Sequence, residues 1–241
     1  MSLRPRIEAC YFTDHAGVYA RLARVLAHSA AEHCSGWDLN ISTLAPSQTL
    51  RSALGNQSHV HNTQKLEHWA DRIAAADDGD RLLLIDSDTL ILRSLDDVWD
   101  LQFDLAFTVR PDECLLPFNG GVMFARVTAA VREFFERWRA ENMKMLGDRD
   151  YHDVWRKRFG GINQAAFGSV MNQPITDIDV LPLPCAEWNC EDFTWKDFSD
   201  STRILHVKGA LRRRIFGRRV DADPDTEQLA RVWLQAEACA V

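Results

Sequence analysis

The stretch RLLLIDSDTLIL, Arg81 to Leu92, drives four consecutive large apolar side chains into two carboxylates one residue apart, Asp86 and Asp88. An apolar run without alternation reads as a strand buried on both faces, which needs helices on both sides of its sheet. In such sheets ligands lie beyond the carboxyl ends of the strands, and the two aspartates fall there. Adjacent carboxylates repel each other and resist burial. A divalent cation relieves both costs. Hard oxygen ligands suit Mg2+ or Mn2+, which keep positions open for water and substrate phosphates. The alternative makes Asp88 the cap of the following segment, TLILRSLDDVW, or a side chain that faces water.

The rest of the chain supplies neighbours for such a strand. IEACYFT (Ile7–Thr13), WDLNISTL, DLAFTV, NGGVMFAR, DIDVLPL and TRILHV read as further strands. Val18, Leu22, Val25 and Leu26 recur at helical spacing. NTQKLEHWADRIAAA is predicted helical with Asn62 or Thr63 as its cap, and residues 46–61 before it a polar loop. Further helices are expected from near Thr128, after Gly160-Gly161, and at the end of the chain with Pro224 and Asp225 near the start. Strands alternating with helices argue an α/β fold with a mostly parallel central sheet flanked by helices. The 241 residues contain no repeat or linker and read as a single domain.

A hydrophobic share of 46% and a charged share of 26% are ordinary for a globular chain. No window reaches the apolar length of a membrane span, and MSLRPRIEACYFTD lacks a signal-peptide core. The expectation is a soluble, cytoplasmic protein without membrane insertion. The six cysteines are scattered, with no CxxC pair, and read as free buried thiols. A net charge of −7 opposes non-specific nucleic-acid binding. Yet VKGALRRRIFGRR, Val207 to Arg219, holds six basic residues and no acid, as a local anion site or a solvated face would.

A strand ending in Asp-x-Asp resembles the haloacid-dehalogenase phosphatases, in which the first Asp is nucleophile and the second general acid. Their Thr or Val at the fourth position is replaced here by Leu90, and two strand–helix units precede the motif. A wider resemblance covers most of residues 7–215. NTQKLEHWADRIAAADDGDRLLLIDSDTLILRSLDDVWD, PFNGGVMFARVTAAVREFFERW, GINQAAF, LPCAEWN and ILHVKGALR, with the opening CYFTDHAGVYARLARVLAHS, resemble in order the blocks of the family 8 glycosyltransferases. That group includes glycogenin and bacterial lipopolysaccharide glycosyltransferases.

The resemblance implies a GT-A nucleotide-diphospho-sugar transferase fold. Residues 1–110 would be mainly nucleotide-binding, 111–220 mainly sugar and acceptor side, and 221–241 a closing helix. It implies transfer of a sugar from a nucleotide sugar, typically UDP-linked, with retention at the anomeric carbon and with Mn2+ or Mg2+ as cofactor. Asp86, Asp88 and His206 would hold the metal. Arg212 stands where the family has a diphosphate-binding Lys, with Arg213 or Arg214 as alternatives in the same run. Lys65 and Ser87 would lie at the donor, Thr13, Asp14 and Tyr19 at the base and ribose, and Asn119, Gly120 and Gly121 at the sugar. Gly209 would let backbone approach phosphate. Asn163 and Gln164 fall in the catalytic segment, where the family has Asp-Gln. Asn cannot carry negative charge. Retention then proceeds by front-side attack with the leaving phosphate as base, the preferred reading, or Asp150, Asp153 or Glu187 stands in. A non-catalytic sugar-nucleotide-binding protein is the third class.

The expected acceptor is a soluble hydroxyl compound, a glycan, protein or metabolite. A hydroxylated base in DNA ranks below these, and would need the arginines beyond Arg212, including Arg218 and Arg219, as a phosphate track.

Overall fold

The computed structural model describes residues 4–14, 16–54, 56–111, 116–174, 177–217 and 223–240. Along the chain the strands are β1 (Arg6–Phe12), β2 (Asp38–Leu44), β3 (Arg81–Asp86), β4 (Thr89–Ile91), β5 (Leu105–Val109), β6 (Phe118–Arg126), β7 (Val180–Pro184) and β8 (Ile204–His206). The helices are α1 (Val18–His33), α2 (Gln48–Leu54), α3 (Gln57–Ala75), α4 (Ala129–Gly147), α5 (Arg149–Phe159), α6 (Ile162–Met171), α7 (Cys185–Trp188), α8 (Gly209–Ile215) and α9 (Pro224–Cys239).

Six strands form one sheet in the order β2-β1-β3-β6-β5-β7. Within it β6 opposes the direction shared by the other five, so the sheet is mostly parallel as expected. The unbroken apolar run of β3 follows from its central place. Leu82 and Leu84 pack with Trp69 of α3, Trp138 of α4 and Phe167 of α6 on one face. Leu83 and Ile85 pack with Leu26 of α1, Trp99 and Trp188 on the other. Each of these four is fully buried, contributing about 2 kcal/mol apiece. A third cluster joins Leu90 and Leu205 to Leu211 of α8 and Trp233 of α9.

The cap reading of Asp88 fails, because the chain after it enters β4 rather than a helix. This short strand pairs antiparallel with β8, Thr89 opposite His206, and the Val207 N–H donates to the Asp88 carbonyl at 2.7 Å. That ladder brings His206 beside two aspartates more than a hundred positions earlier. A bulge shapes the opposite wall. Register between β5 and β6 shifts between Phe107, opposite Met123, and Thr108, opposite Asn119. Gly120, Gly121 and Val122 have no partner on β5 there, while Asn119 stays paired with Thr108.

Two local expectations are corrected. Residues 46–61 contain α2 and the start of α3 rather than a loop. Asn56, not Asn62 or Thr63, caps α3, its side chain accepting from Ser58 N at 2.9 Å. Gln57 and Ser58, which open α3, are exposed and polar, so they carry no apolar period. Helix α5, which was not anticipated, is polar for the same reason: it buries only His152 and Phe159. The closing helix stands, capped by Asp223 with Pro224 at its first position.

Among the described cysteines, Cys10, Cys34, Cys185 and Cys190 are buried free thiols and Cys239 is exposed; Cys114 lies outside the described residues. No described helix is long and apolar enough to cross a membrane.

Candidate functional site

At the carboxyl end of β3 a cavity of about 320 Å³ opens. Asp86, Asp88 and His206 meet there, each offering a ligand atom within 4.8 Å of the other two. His206 Nε2 is 3.3 Å from Asp88 Oδ1 and 3.8 Å from Asp86 Oδ2. Both carboxylates are also met by cations. Lys65 Nζ, which lies over the Trp69 ring, is 2.5 Å from Asp86 Oδ1, and the Arg212 guanidinium donates to Asp88 Oδ2.

A chain of buried hydrogen bonds fixes the tautomer of His206. Thr108 Oγ1 donates to the Asn119 carbonyl at 2.9 Å, and Asn189 Nδ2 donates to Thr108 Oγ1 at 2.9 Å. The amide oxygen of Asn189 therefore faces His206, 2.9 Å from Nδ1. An acceptor at that distance puts the ring proton on Nδ1 and leaves the Nε2 lone pair facing the aspartates. Burial pushes the imidazole down to about 4, the negative charge of Asp86 opposing it. A neutral imidazole with its lone pair beside two carboxylates is a donor set that fits Mn2+ or Mg2+. Gly121 is required by close approach: a Cβ there would come within 2.6 Å of His206 Cε1 and 3.0 Å of Asp86 Oδ2.

The other predicted residues divide. Tyr19, Lys65, Ser87, Asn119, Gly120, Gly121, Asn163, Gln164 and Arg212 line the cavity with the metal triad. Thr13, Asp14 and Gly209 do not. Asp14 instead accepts from Val18 N and Tyr19 N at the start of α1, and Gly209 begins α8 at φ +52°. Asn163 is buried, its carbonyl accepting from Trp138 Nε1 at 2.7 Å, and Gln164 Nε2 donates to the Phe118 carbonyl at 2.7 Å. Among the arginines, Arg212 reaches the cavity whereas Arg214 pairs with Glu227 on α9; Arg218 and Arg219 lie outside the described residues. The possible stand-in carboxylates stay away: Glu187 pairs with Arg203 and Asp153 with Arg156, and neither they nor Asp150 line the cavity.

Solved structures share the fold. No family model and no curated protein sequence matches the chain. A glycosyltransferase involved in glycosylation of the major capsid of PBCV-1 matches over 88% of this chain and 97% of its own, at TM-score 0.61 and 15% identity. The glycosyltransferase GlyE of Streptococcus pneumoniae TIGR4 matches over 98% of this chain and 60% of its own, at TM-score 0.61 and 16% identity. The galactosyltransferase LgtC, solved with donor and acceptor sugar analogues, matches over 97% and 95%, at TM-score 0.54 and 14% identity. The chain has the GT-A glycosyltransferase fold.

In this glycosyltransferase fold the cavity contains residues that sequence reasoning missed. Phe12 and His61 stack at 4.0 Å with parallel rings, and Tyr19 meets His61 edge-on. His61 falls in the polar stretch 46–61 that reads as a loop from sequence. Arg110 and Lys208 line the cavity from beyond the bulge, both held by Glu191, which is fully buried. Burial alone would push the Glu191 carboxyl up. Hydrogen bonds from Asp192 and Arg110, and the charges of Lys208 and Arg110, outweigh it and hold the group well below the usual carboxylate range. Cys10 also lines the cavity, but burial pushes its thiol up to about 12, which leaves it unreactive.

Proposed function

We propose that the chain is a metal-dependent retaining glycosyltransferase moving a hexose or similar sugar from a UDP-linked donor to the hydroxyl of a soluble acceptor. The observation that carries this is the meeting of Asp86, Asp88 and His206 with Lys65 and Arg212 in one cavity of a GT-A fold. Bound Mn2+ or Mg2+ would stabilise negative charge on the leaving diphosphate.

Asp86, Asp88 and His206 would hold the ion, with Asn189 keeping the His206 lone pair free for it. Lys65 and Arg212 would pair with the phosphate oxygens, where charge grows as the glycosidic bond breaks. Tyr19 and the Phe12–His61 stack form the slot for the base, with Thr13 and Asp14 at its edge. Ser87, Asn119, Gly120 and Gly121 border the sugar. Asn163 and Gln164 orient the sugar on its far side.

Asp86 and Asp88 are the carboxylates among the described lining residues, and both serve the ion. That supports front-side attack, in which the departing phosphate takes the acceptor proton, and tells against a stand-in nucleophile. The phosphatase reading loses its support with the fold. The test is a screen of nucleotide sugars with Mn2+, reading released nucleotide and the anomeric configuration of the product. Metal-dependent release from a UDP-sugar with retention is expected. A second reading, sugar-nucleotide binding without transfer, is favoured by Asn163; saturable UDP binding with no release from any donor would establish it and overturn ours.

A further inference from the structure

A second cavity, of about 300 Å³, opens between the start of α3, one face of α5 and the turn into α6. It is lined by His59, His152, Arg156, Lys157, Gly160 and Gly161. Four of these six are basic, and no acid is among them. They come from two separate helices, so the clustering is a product of the fold and not of a basic run in sequence. The His59 and His152 rings meet edge-to-face at 5.7 Å, and His152 is 8% exposed. His152 Nε2 lies 3.4 Å from the Gly161 carbonyl, a distance at the limit of a hydrogen bond. Arg156 Nε is 2.7 Å from Asp153 Oδ1. Lys157 has no ionic partner among the described residues.

Arg156 and Lys157 stand exposed at the edge of this void, and Lys157 has no carboxylate against it among the described residues. His59 shows the crowding: burial first, then the charges of His152 and Arg156, push its imidazole down. The position is also specific. Gly161 caps α6 without any side-chain hydrogen bond, so the N–H groups at the start of this ten-residue helix add to the positive field. Asn163, two residues on, lines the first cavity. A Cβ built on Gly161 would lie 3.9 Å from Asn163 Oδ1. The two cavities therefore border the same turn at the start of α6.

We propose that this second cavity is an acceptor subsite for a phosphate group, so that the preferred acceptor is a phosphorylated hydroxyl compound. The inference rests on reading the first cavity as the donor site. The phosphate docks against Arg156, Lys157 and the paired imidazoles, and the acceptor hydroxyl reaches past Gly161 to the sugar beside Asn163. A tetrahedral anion with several acceptor oxygens matches donors converging from several directions.

The test titrates the protein, 15N-labelled at histidine, with inorganic phosphate at constant ionic strength. The His59 and His152 ring signals should shift saturably. The double variant Arg156→Ala/Lys157→Ala, altered only at exposed positions, should keep the fold and weaken phosphate binding about tenfold or more. Acetate at equal concentration should not reproduce the shift. In transfer assays phosphate should compete with the acceptor and leave nucleotide release to water unchanged. No saturable shift, an equal shift in the double variant, or an equal response to acetate overturns the subsite. Donor turnover with silent His59 and His152 sinks this inference alone. Phosphate binding here without turnover of any nucleotide sugar keeps the anion site and sinks the enzyme reading.

Discussion

Replacing Asn189 separates a metal ligand that merely sits in place from one that is held in the right protonation state. Asn189 is fully buried and His206 is 4% exposed, so water does not take over a lost partner. Asn189→Leu keeps the volume and removes the oxygen 2.9 Å from His206 Nδ1. Either Nδ1–H is left unsatisfied, at a cost of about 1–3 kcal/mol, or the proton moves to Nε2. There Asp88 Oδ1, 3.3 Å away, accepts it, and the proton must leave again before a metal can bind. Both routes weaken Mn2+ binding about ten- to a hundredfold. Asn189→Asp keeps an acceptor against Nδ1 and should retain most of the affinity, while losing the bond to Thr108. Calorimetric titration with Mn2+ gives the affinities, and long-range 15N–1H correlation of the imidazole gives the tautomer. An Asn189→Leu protein with unchanged affinity and its proton still on Nδ1 would refute the reasoning, as would equal losses in both variants.

Gly121→Ala places a methyl 2.6 Å from His206 Cε1; strain of about 1–3 kcal/mol should lower the melting temperature modestly and reduce metal affinity by more than tenfold. Glu191→Gln leaves the buried Arg110 without its counter-charge, while Lys208 keeps Asp192; this should cost about 3–5 kcal/mol in a denaturant titration. In the native protein the Glu191 carboxyl is held below its unfolded value, so its stabilisation is present above the unfolded pKa of about 4.3 and lost as pH falls toward the folded value. The difference between wild type and Glu191→Gln should therefore narrow only in acid. Arg212→Ala should lower donor turnover at least tenfold for any acceptor, whereas Arg214→Ala, which breaks only an exposed pair with Glu227, should leave turnover unchanged.

What could be read from sequence is what local pattern encodes. The run Leu82–Ile85 announces a strand covered on both faces, and the structure puts helices on both. Thr128 and Pro224 mark helix starts through local chemistry, whereas the cap of the closing helix is Asp223, one residue before the pair read from sequence, Pro224 and Asp225. The aspartates announce themselves because carboxylates end a buried strand. Gln57 and Ser58 at the start of α3 and the whole of α5 stayed hidden because their exposed faces carry no apolar period. The rest of the site is a matter of pairs distant in sequence. Arg110 meets Glu191 and Thr108 meets Asn189, each across 81 positions, and nothing in either local stretch names its partner. The second cavity is of the same kind, joining α3 to α5.

The central claim is that Asp86, Asp88 and His206 hold a divalent ion against the diphosphate of a nucleotide sugar. Electron–nuclear double resonance of Mn2+ added to the protein with UDP tests it in one spectrum. The account predicts 14N coupling from an imidazole, absent in His206→Ala, together with 31P coupling from both phosphates, and loss of all Mn2+ binding in Asp88→Asn. Nucleotide-sugar turnover that persists in excess chelator, or bound Mn2+ showing neither histidine nitrogen nor phosphorus coupling, would contradict it.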